Sequence, residues 1–227
     1  DYDLPLIANL RRTVYDGTDN DLLTAGLGSD GIAGAAPTAA DPENPTAEEL
    51  RRLAIYNNYR ALVDMTPGGG YGSIHGPAVN NPVSADGKIP GVEYLMYLDD
   101  GTGEQNVTVM IQIPDNFDPA NACMVTGTSS GSRGVYGAIG TSGDWGLKKG
   151  CIVVYNDKGT GMGVHNLMDD TVNLIDGTRS DATAAGLLAN FAADVNAAEL
   201  AAFNAATPDR VAFKHAYSKQ NPEADWD

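Results

Sequence analysis

Apolar residues gather into four short runs in the middle of the chain, each of the length typical of a β-strand. The runs read VEYLMYL, NVTVMIQIP, CMVTGT and CIVVYND, between residues 92 and 157. The turn-rich DDGTGEQ between the first two predicts a hairpin. The last two are continuously apolar and stand about twenty residues apart, which favours buried parallel strands joined by a crossover helix. The four runs therefore predict a mostly parallel α/β sheet that begins with a hairpin.

A helix is predicted ahead of these strands. Thr46 and Glu49 have the spacing of a capping box, the pattern that marks a helix N-terminus. Leu50, Leu53 and Leu62 share one helical stripe in the segment AEELRRLAIYNNYRALVDM. The pattern predicts an amphipathic helix that packs through these leucines.

The other segments complete the predicted organisation. Residues 1–45 are rich in Asp, Gly, Ala and Pro without periodicity, which predicts an irregular N-terminal segment. The alanine-rich residues 182–206 predict a helix, after which the chain closes in polar residues without another strand. A hairpin that leads into parallel strands is how an α/β-hydrolase-like sheet begins. Residues 46–227 are therefore predicted to form the N-terminal part of such a domain, which four strands leave incomplete.

Composition limits the classes of function. With 42% apolar residues among 227, the chain can bury a sizeable core. No apolar run approaches the ~20 residues that a membrane helix needs. Thirty acidic against fourteen basic residues give a net charge of −16, which repels phosphate backbones and anionic membranes and argues against nucleic-acid binding. The chain begins at Asp1 without a methionine, which we interpret as a processed chain or a fragment.

The two cysteines, Cys123 and Cys151, each begin an apolar run. If those runs are neighbouring parallel strands, their first residues lie within reach of a disulfide. The alternative is a pair of small buried thiols. A disulfide would favour an oxidising compartment.

The segment GTSSG, residues 127–131, follows the third predicted strand and matches the G-x-S-x-G nucleophile-elbow pattern. In this interpretation Ser129 is the nucleophile, and acidic residues and then His215 follow it in the chain. However, the elbow of this architecture normally follows the fifth strand. Glycines also recur every third residue from Gly131 to Gly140, and each costs a helix up to ~1 kcal/mol relative to alanine. The segment is therefore poorly suited to the helix that an elbow needs.

A second interpretation fits the glycines better. In α/β-hydrolases the loop after the third strand donates one N–H group to the oxyanion hole. Glycine-rich backbone suits this role because the amides must be exposed and closely approached. We therefore predict that Thr128, Ser129, Ser130 and Gly131 form an oxyanion-hole loop. Ser129 as nucleophile and a purely structural glycine turn stay open as alternatives.

Three further residues are weaker candidates for the functional site. Arg133, Lys158 and His165 lie just past predicted strand ends, where α/β sites form, and are candidates for a pocket. Solvated or ordinary hydrogen-bonded side chains are the alternative. The segment GTGMG lacks the spacing of a dinucleotide fingerprint. The three histidines are scattered, and no metal-binding spacing occurs. We predict no metal and no cofactor.

Long segments of the sequence resemble one family. VTGTSSGSRGVYGAIG, DWGLKKGCIVVYNDKGTGMGVH and FKHAYSKQNPEADW are closely similar to the bacterial D-(-)-3-hydroxybutyrate oligomer hydrolases. The resemblance implies a serine esterase, secreted or periplasmic, that cleaves dimers and oligomers of (R)-3-hydroxybutyrate released from a storage polyester. Family members are much longer, and their proposed nucleophile lies in a Ser-Asn-Gly-Gly segment that this sequence lacks.

The resemblance therefore implies that the nucleophile lies on a second chain or a continuation, which carries the rest of the catalytic domain. On that view Ser129 belongs to the oxyanion side of the site. Two alternatives remain at this point. One is a self-contained esterase that uses Ser129, and the other is a non-catalytic secreted binding or scaffold protein.

Overall fold

The structure, a computed structural model, describes residues 6–62, 86–99, 107–129, 133–157, 163–193, 196–206 and 211–214. These residues form two β-sheets and a set of short helices around them. The strands of the first sheet are β1 (Leu6–Tyr15), β2 (Gly91–Asp99), β3 (Val107–Pro114), β4 (Met124–Thr128) and β5 (Ile152–Asn156), in the spatial order β1-β2-β3-β5-β4. The strands of the second sheet are β6 (Gly163–Asn166), β7 (Thr171–Asn173), β8 (Arg179–Asp181) and β9 (Val211–Lys214), in the order β8-β7-β6-β9.

The helices are short apart from one. They are α1 (Gly28–Ala33), α2 (Ala47–Leu62), α3 (Asp144–Lys148), α4 (Ala182–Ala185) and α5 (Ala197–Ala206). Single 3-10 turns occur at Pro119–Asn121, Val135–Ala138 and Gly186–Leu188, and a π-helical turn spans Ile139–Gly143. No helix in the described part of the chain is both long and apolar enough to cross a bilayer.

All four apolar runs form strands, as the sequence predicts. β2 and β3 pair in an antiparallel hairpin, in which Gly91 lies opposite Pro114 and Leu98 opposite Val107. β4 and β5 pair in parallel from Met124 opposite Ile152 onwards. The chain between them is not one crossover helix, since it passes through a 3-10 turn, a π-helical turn and the short α3.

The predicted mostly parallel, α/β-hydrolase-like sheet is wrong. The pairs β1/β2, β2/β3 and β3/β5 are antiparallel, β4/β5 is the one parallel pair of the first sheet, and the pairs of the second sheet are antiparallel. The reason is that a continuously apolar run indicates a strand but does not fix its burial, since β4 lies at the edge of the sheet and Met124 is 63% exposed. Such a run does not report the direction of the neighbouring strand either.

The predicted irregular N-terminal segment, residues 1–45, is wrong where the structure forms a strand and the short helix α1. Residues 6–15 form β1, which pairs with β2 along its length with one irregularity between Ala8 and Arg11. Its segment LIANLRRTVY lacks the alternation of buried apolar and exposed polar residues by which strands are recognised. The reason is that β1 is an edge strand with apolar side chains in solvent, where Ile7, Leu10 and Val14 are each more than half exposed.

The end of the chain differs from expectation as well. Residues 211–214 form β9, which pairs with β6, although no further strand was predicted. The alanine-rich segment is not one helix, because α4 gives way to a 3-10 turn at Gly186 and a helix returns only at α5. Gly186 has a φ of +51°, a left-handed conformation that interrupts a helix and that glycine adopts at low cost.

Helix α2 begins at the predicted capping box. The Glu49 carboxylate accepts the Thr46 N–H at 2.9 Å, and the Glu49 N–H donates back to the Thr46 hydroxyl at 3.3 Å. However, α2 does not pack through the predicted leucine stripe, since Leu53 is exposed while Arg51, Ile55 and Tyr59 are buried. The hydrophobic pattern did not reveal the buried face of α2, because Arg51, one of the residues on that face, is charged.

An internal loop fills the space between α2 and the first sheet. Leu22 and Leu23 are fully buried, and so is the carboxylate of Asp21 beside them. That carboxylate accepts the N–H groups of Leu23, Thr24, Gly26 and Ile89. A buried carboxylate is tolerated when several N–H donors satisfy it, so Asp21 holds residues 21–26 in a fixed turn under α2.

Cys123 and Cys151 form the predicted disulfide, with 28 residues of sequence separation. Ile152 N–H also donates to the Cys123 carbonyl at 3.1 Å, so the bridge lies at the start of the parallel pair. The covalent bond and the ladder together fix where β4 and β5 begin.

Replacement of both cysteines, Cys123→Ala with Cys151→Ala, is expected to lower the free energy of unfolding by about 3 kcal/mol, because a loop of this length is no longer closed in the unfolded chain. Urea denaturation followed by tryptophan fluorescence measures the change. Reduction of the unsubstituted protein should give the same loss, and an unchanged midpoint in both experiments would contradict the expectation.

Candidate functional site

The predicted oxyanion loop leaves the sheet at the end of β4. The Ser129 N–H donates to the Asn156 carbonyl at 2.9 Å and so extends the β4/β5 ladder by one residue. Beside it, the Asn156 side-chain amide donates to the Thr128 hydroxyl at 3.4 Å. The amide of Ser129 is therefore held within the sheet. Ser130 and Gly131, the other members of the predicted loop, lie outside the described residues.

The Ser129 side chain is buried, with 1% of its surface exposed. A methyl group on Gly137 would lie 2.7 Å from the Ser129 hydroxyl oxygen and 3.2 Å from the Arg133 Cβ atom. Gly137 thus lets the turn Val135–Ala138 pack directly on Ser129. This is a 3-10 turn.

His165 lies in the second sheet, on β6, and is 2% exposed. Its Nδ1 atom accepts the Ala193 N–H at 3.0 Å, so Nε2 carries the proton and donates to Asp170 at 2.9 Å. Both ring nitrogens are engaged within this sheet, and His165 does not line the cavity described below. Lys158, together with His75 and His215, lies outside the described residues.

A cavity of about 490 Å³ adjoins the turn after β4. It lies between the first sheet, the N-terminal part of α2 and the β7 region of the second sheet. Of the predicted pocket residues, Arg133 lines it, while His165 does not. Its apolar lining includes Leu50, Leu95, Val135 and Ile175.

A buried ion pair forms part of the cavity wall. The Arg51 guanidinium donates to the two carboxylate oxygens of Glu93 at 2.7 and 3.0 Å, and both side chains are at least 93% buried. Arg51 also donates to the Asn20 side chain at 3.0 Å and to the Asp21 carbonyl at 3.1 Å. Its guanidinium carbon lies 4.3 Å from the centre of the Tyr15 ring, a distance typical of cation–π contacts.

Glu93 extends this contact into a hydrogen-bond network. Gln112, directly opposite on β3, donates to Glu93 at 2.8 Å and to the Leu22 carbonyl at 2.6 Å. The Tyr155 hydroxyl donates to Gln112 at 2.7 Å, and the Tyr136 hydroxyl donates to Glu93 at 3.3 Å. The network therefore joins β2, β3, β5, the internal loop and the turn after β4.

Charge and burial keep the ionisation states of this network fixed. Burial, followed by the charge of Glu93, raises the pKa of Tyr15 to about 12. The same two causes hold the pKa of Tyr136 well above its ordinary value. Burial alone would lower the pKa of Arg51, but the charge of Glu93, its hydrogen bond and the nearby Tyr136 and Tyr15 together outweigh burial and raise that pKa. At neutral pH the tyrosines are therefore neutral donors and Arg51 is a cation.

The other two arginines at the cavity differ from each other. Arg11 forms an ion pair with Asp176, which links β1 to the second sheet. Burial would raise the pKa of Asp176, but hydrogen bonds from Thr178 and the Arg11 contact lower it, so this carboxylate is ionised. Arg133 is exposed, and no ion pair or hydrogen bond joins it to another side chain in the described part of the protein.

One buried hydroxyl lines the same cavity. Thr108 is 4% exposed, and its Oγ1 atom has no hydrogen-bond partner among the residues that the structure describes. Its backbone pairs twice with Asp157, since the Thr108 N–H donates to the carboxylate at 2.9 Å and the Asp157 N–H donates to the Thr108 carbonyl at 3.1 Å. The residue is therefore fixed in place, and its buried hydroxyl is unsatisfied within the described part of the protein.

No group of three His, Cys, Asp or Glu side chains within the described ranges is arranged to hold a metal ion.

The sequence identified Arg133 but missed Arg51, Glu93, Gln112 and Thr108. A signal was present in the strands, because Glu93 interrupts VEYLMYL and Gln112 interrupts VTVMIQI at positions that face the core. Two polar residues on the buried faces of paired strands indicate a buried polar network, since each needs a partner.

Glu93→Gln is expected to lower the free energy of unfolding by about 3–5 kcal/mol, because it leaves the Arg51 charge buried without its counter-ion. Glu48→Gln is the matched control, since it removes the exposed partner of Arg52 on the same helix and should cost about 0–1 kcal/mol. Chemical denaturation of both variants measures the difference, and equal losses would contradict the importance of the buried pair.

Comparisons with known proteins agree with the resemblance seen in the sequence. The model of the 3HB-oligomer hydrolase family matches residues 3–227. A D-(-)-3-hydroxybutyrate oligomer hydrolase of Polaromonas naphthalenivorans is 61% identical over 215 residues, which are 93% of this chain and 30% of that relative. A protein of the same name from Burkholderia ambifaria is 59% identical over 221 residues, or 96% of this chain and 32% of the relative.

The chain thus spans about a third of the length of the curated relatives that it matches. No solved structure matches it. Because the family model covers nearly the whole sequence, the chain belongs to the 3HB-oligomer hydrolase family.

Proposed function

We propose that this chain is part of a carboxylic ester hydrolase that cleaves dimers and oligomers of 3-hydroxybutyrate. The observation that carries the proposal is the identity of about 60% to proteins named D-(-)-3-hydroxybutyrate oligomer hydrolase, over more than nine-tenths of the chain. Identity at this level, spread over both sheets, supports the same chemistry in the complete protein.

The proposed reaction is acyl transfer through a serine. A serine hydroxyl attacks the ester carbonyl, a histidine takes its proton and later protonates the leaving alkoxide, and water then hydrolyses the acyl-enzyme. Backbone N–H groups stabilise the negative oxygen of the tetrahedral intermediate, and loss of one such donor typically lowers turnover about 10²–10³-fold. This mechanism needs no cofactor.

In this proposal the loop Thr128, Ser129, Ser130 and Gly131 lies on the oxyanion side of the site, although the Ser129 N–H is bonded to the Asn156 carbonyl and is not itself one of the donors. The nucleophile, the histidine and the acid lie on polypeptide outside these residues, either a continuation or a second chain. The share of the relatives that this chain covers, about 30%, leaves ample sequence for them.

Two contacts argue against Ser129 as the nucleophile. Its side chain is buried beneath the turn that contains Gly137, whereas a nucleophile must reach substrate. His165, the histidine within the described ranges, uses both ring nitrogens for Asp170 and Ala193 and has none left for a serine. A general base must be within hydrogen-bond reach of the hydroxyl that it activates.

We also propose that the protein acts outside the cytoplasm, in the periplasm or the medium. The disulfide between Cys123 and Cys151 supports this location, because such bonds persist in oxidising compartments.

A fluorophosphonate label, which reacts with activated serines, tests the assignment in the full-length protein. The expected result is hydrolysis of the 3-hydroxybutyrate dimer, together with a label on a serine outside residues 1–227. Ser129→Ala should keep the full label, because Ser129 is not the reacting group. Ser142→Ala, in the neighbouring π-helical turn, is the matched control for changes in packing.

Peptide mapping of the labelled protein distinguishes the outcomes. A label on Ser129 that is lost in Ser129→Ala would show a self-contained esterase instead. Absence of both label and dimer hydrolysis would overturn the proposed function and favour a binding or scaffold protein.

A further inference from the structure

We propose that the cavity beside the turn after β4 binds the carboxylate end of a 3-hydroxybutyrate oligomer, with Arg133 as the residue that recognises the charge. The inference rests on the proposed function, and it adds which end of the substrate is held and by which side chains. It also explains how a protein of net charge −16 can attract an anionic substrate, since the attraction is local.

Among the described residues that line the cavity, one positively charged side chain is left for a ligand. Three arginines line it, and two of them already have carboxylate partners, since Arg51 pairs with Glu93 and Arg11 with Asp176. Arg133 is exposed and has no such partner in the described part of the chain. A guanidinium binds a carboxylate through two parallel N–H···O bonds, so Arg133 suits a ligand with one terminal carboxylate.

The acidic side chains at the cavity do not cancel this charge. Asp157 also lines the cavity, but it is 1% exposed and its carboxylate already accepts the Thr108 N–H. Glu48 pairs with Arg52. The arginine at the cavity mouth therefore provides a local positive site in an otherwise acidic protein.

The rest of the lining fits the body of the oligomer. Each 3-hydroxybutyrate unit has an ester carbonyl, which only accepts hydrogen bonds, and a methyl group, which is apolar. The Thr108 hydroxyl has no partner among the described residues and can donate to such a carbonyl. Leu50, Leu95 and Ile175 offer an apolar surface for the methyl groups. A volume of about 490 Å³ falls within the ~300–1,000 Å³ typical of small-molecule sites.

The carboxylate site lies next to the proposed oxyanion loop. A methyl group on Gly137 would be within 3.3 Å of both Ser129 and Arg133, so these two residues meet at Gly137. The Tyr136 hydroxyl bonds to Glu93 and anchors this turn to the buried ion pair. An oligomer held at Arg133 by its acid end would therefore present an ester near that end to the loop.

The consequence is a preference for substrates with a free carboxylate. Initial rates of the full-length enzyme should be measured on the 3-hydroxybutyrate dimer as the free acid and as its methyl ester, which share the same internal ester bond. The wild-type protein is expected to show the lower KM for the acid. Arg133→Met should raise KM for the acid about 10- to 100-fold, the range of a lost charge-assisted bond, with less than about a twofold change for the methyl ester.

Three further variants act as controls. Arg133→Lys keeps the positive charge but loses the paired N–H groups of the guanidinium. Its KM for the acid should therefore lie between those of wild type and Arg133→Met. Arg12→Met removes an exposed arginine of β1 that does not line the cavity, and should leave the ratio of the two KM values unchanged. Thr108→Val should raise KM for both substrates, since both carry the ester carbonyl. Thermal unfolding checks that each variant is folded.

Each outcome decides between the two proposals. If Arg133→Met raises KM equally for the acid and for the methyl ester, the carboxylate site is overturned while the hydrolase assignment stands. The same holds if Arg12→Met changes the ratio of the two KM values as much as Arg133→Met does. Failure of the wild-type enzyme to hydrolyse either compound would overturn the proposed function, and this inference with it.

Discussion

The buried ion pair between Arg51 and Glu93 is the contact on which the arrangement of the first sheet depends. A charge taken out of water costs several kcal/mol unless a partner of opposite charge and further hydrogen bonds replace the water. Arg51 meets this requirement only when α2, β2 and the internal loop at Asn20 and Asp21 are all in place. Gln112 and Tyr136 then connect the same carboxylate to β3 and to the turn after β4.

The candidate site follows from this arrangement. The turn after β4 is held at Tyr136 by the ion pair, while the Ser129 N–H is bonded to the end of β5. The disulfide fixes the other end of the same two strands. The described ends of the segment that follows β4 are thus both anchored, one at Ser129 and the other at Tyr136. Arg133 lies within this segment and is exposed, whereas Arg11 and Arg51 each form an ion pair.

Much of the local structure could be predicted from the sequence. Run length and turn chemistry identify the strands β2 to β5, Thr46 and Glu49 mark the start of α2, and the positions of the cysteines predict their bond. Strand direction could not be predicted, because hydrophobicity encodes burial and not the orientation of a neighbour. The strand β1 and the buried face of α2 were missed for a related reason, since β1 exposes apolar residues and α2 buries Arg51.

Hydrogen exchange in an Arg51→Met variant tests the central role of the ion pair most directly. Exchange is expected to accelerate about tenfold or more at the amides of Leu22 in the internal loop and Gly137 in the turn after β4, because local opening there becomes easier without the ion pair. The Ala182 amide, bonded to the Asp170 carbonyl beside the second sheet, should be unaffected. Acceleration confined to α2, or spread evenly over both sheets, would contradict the account.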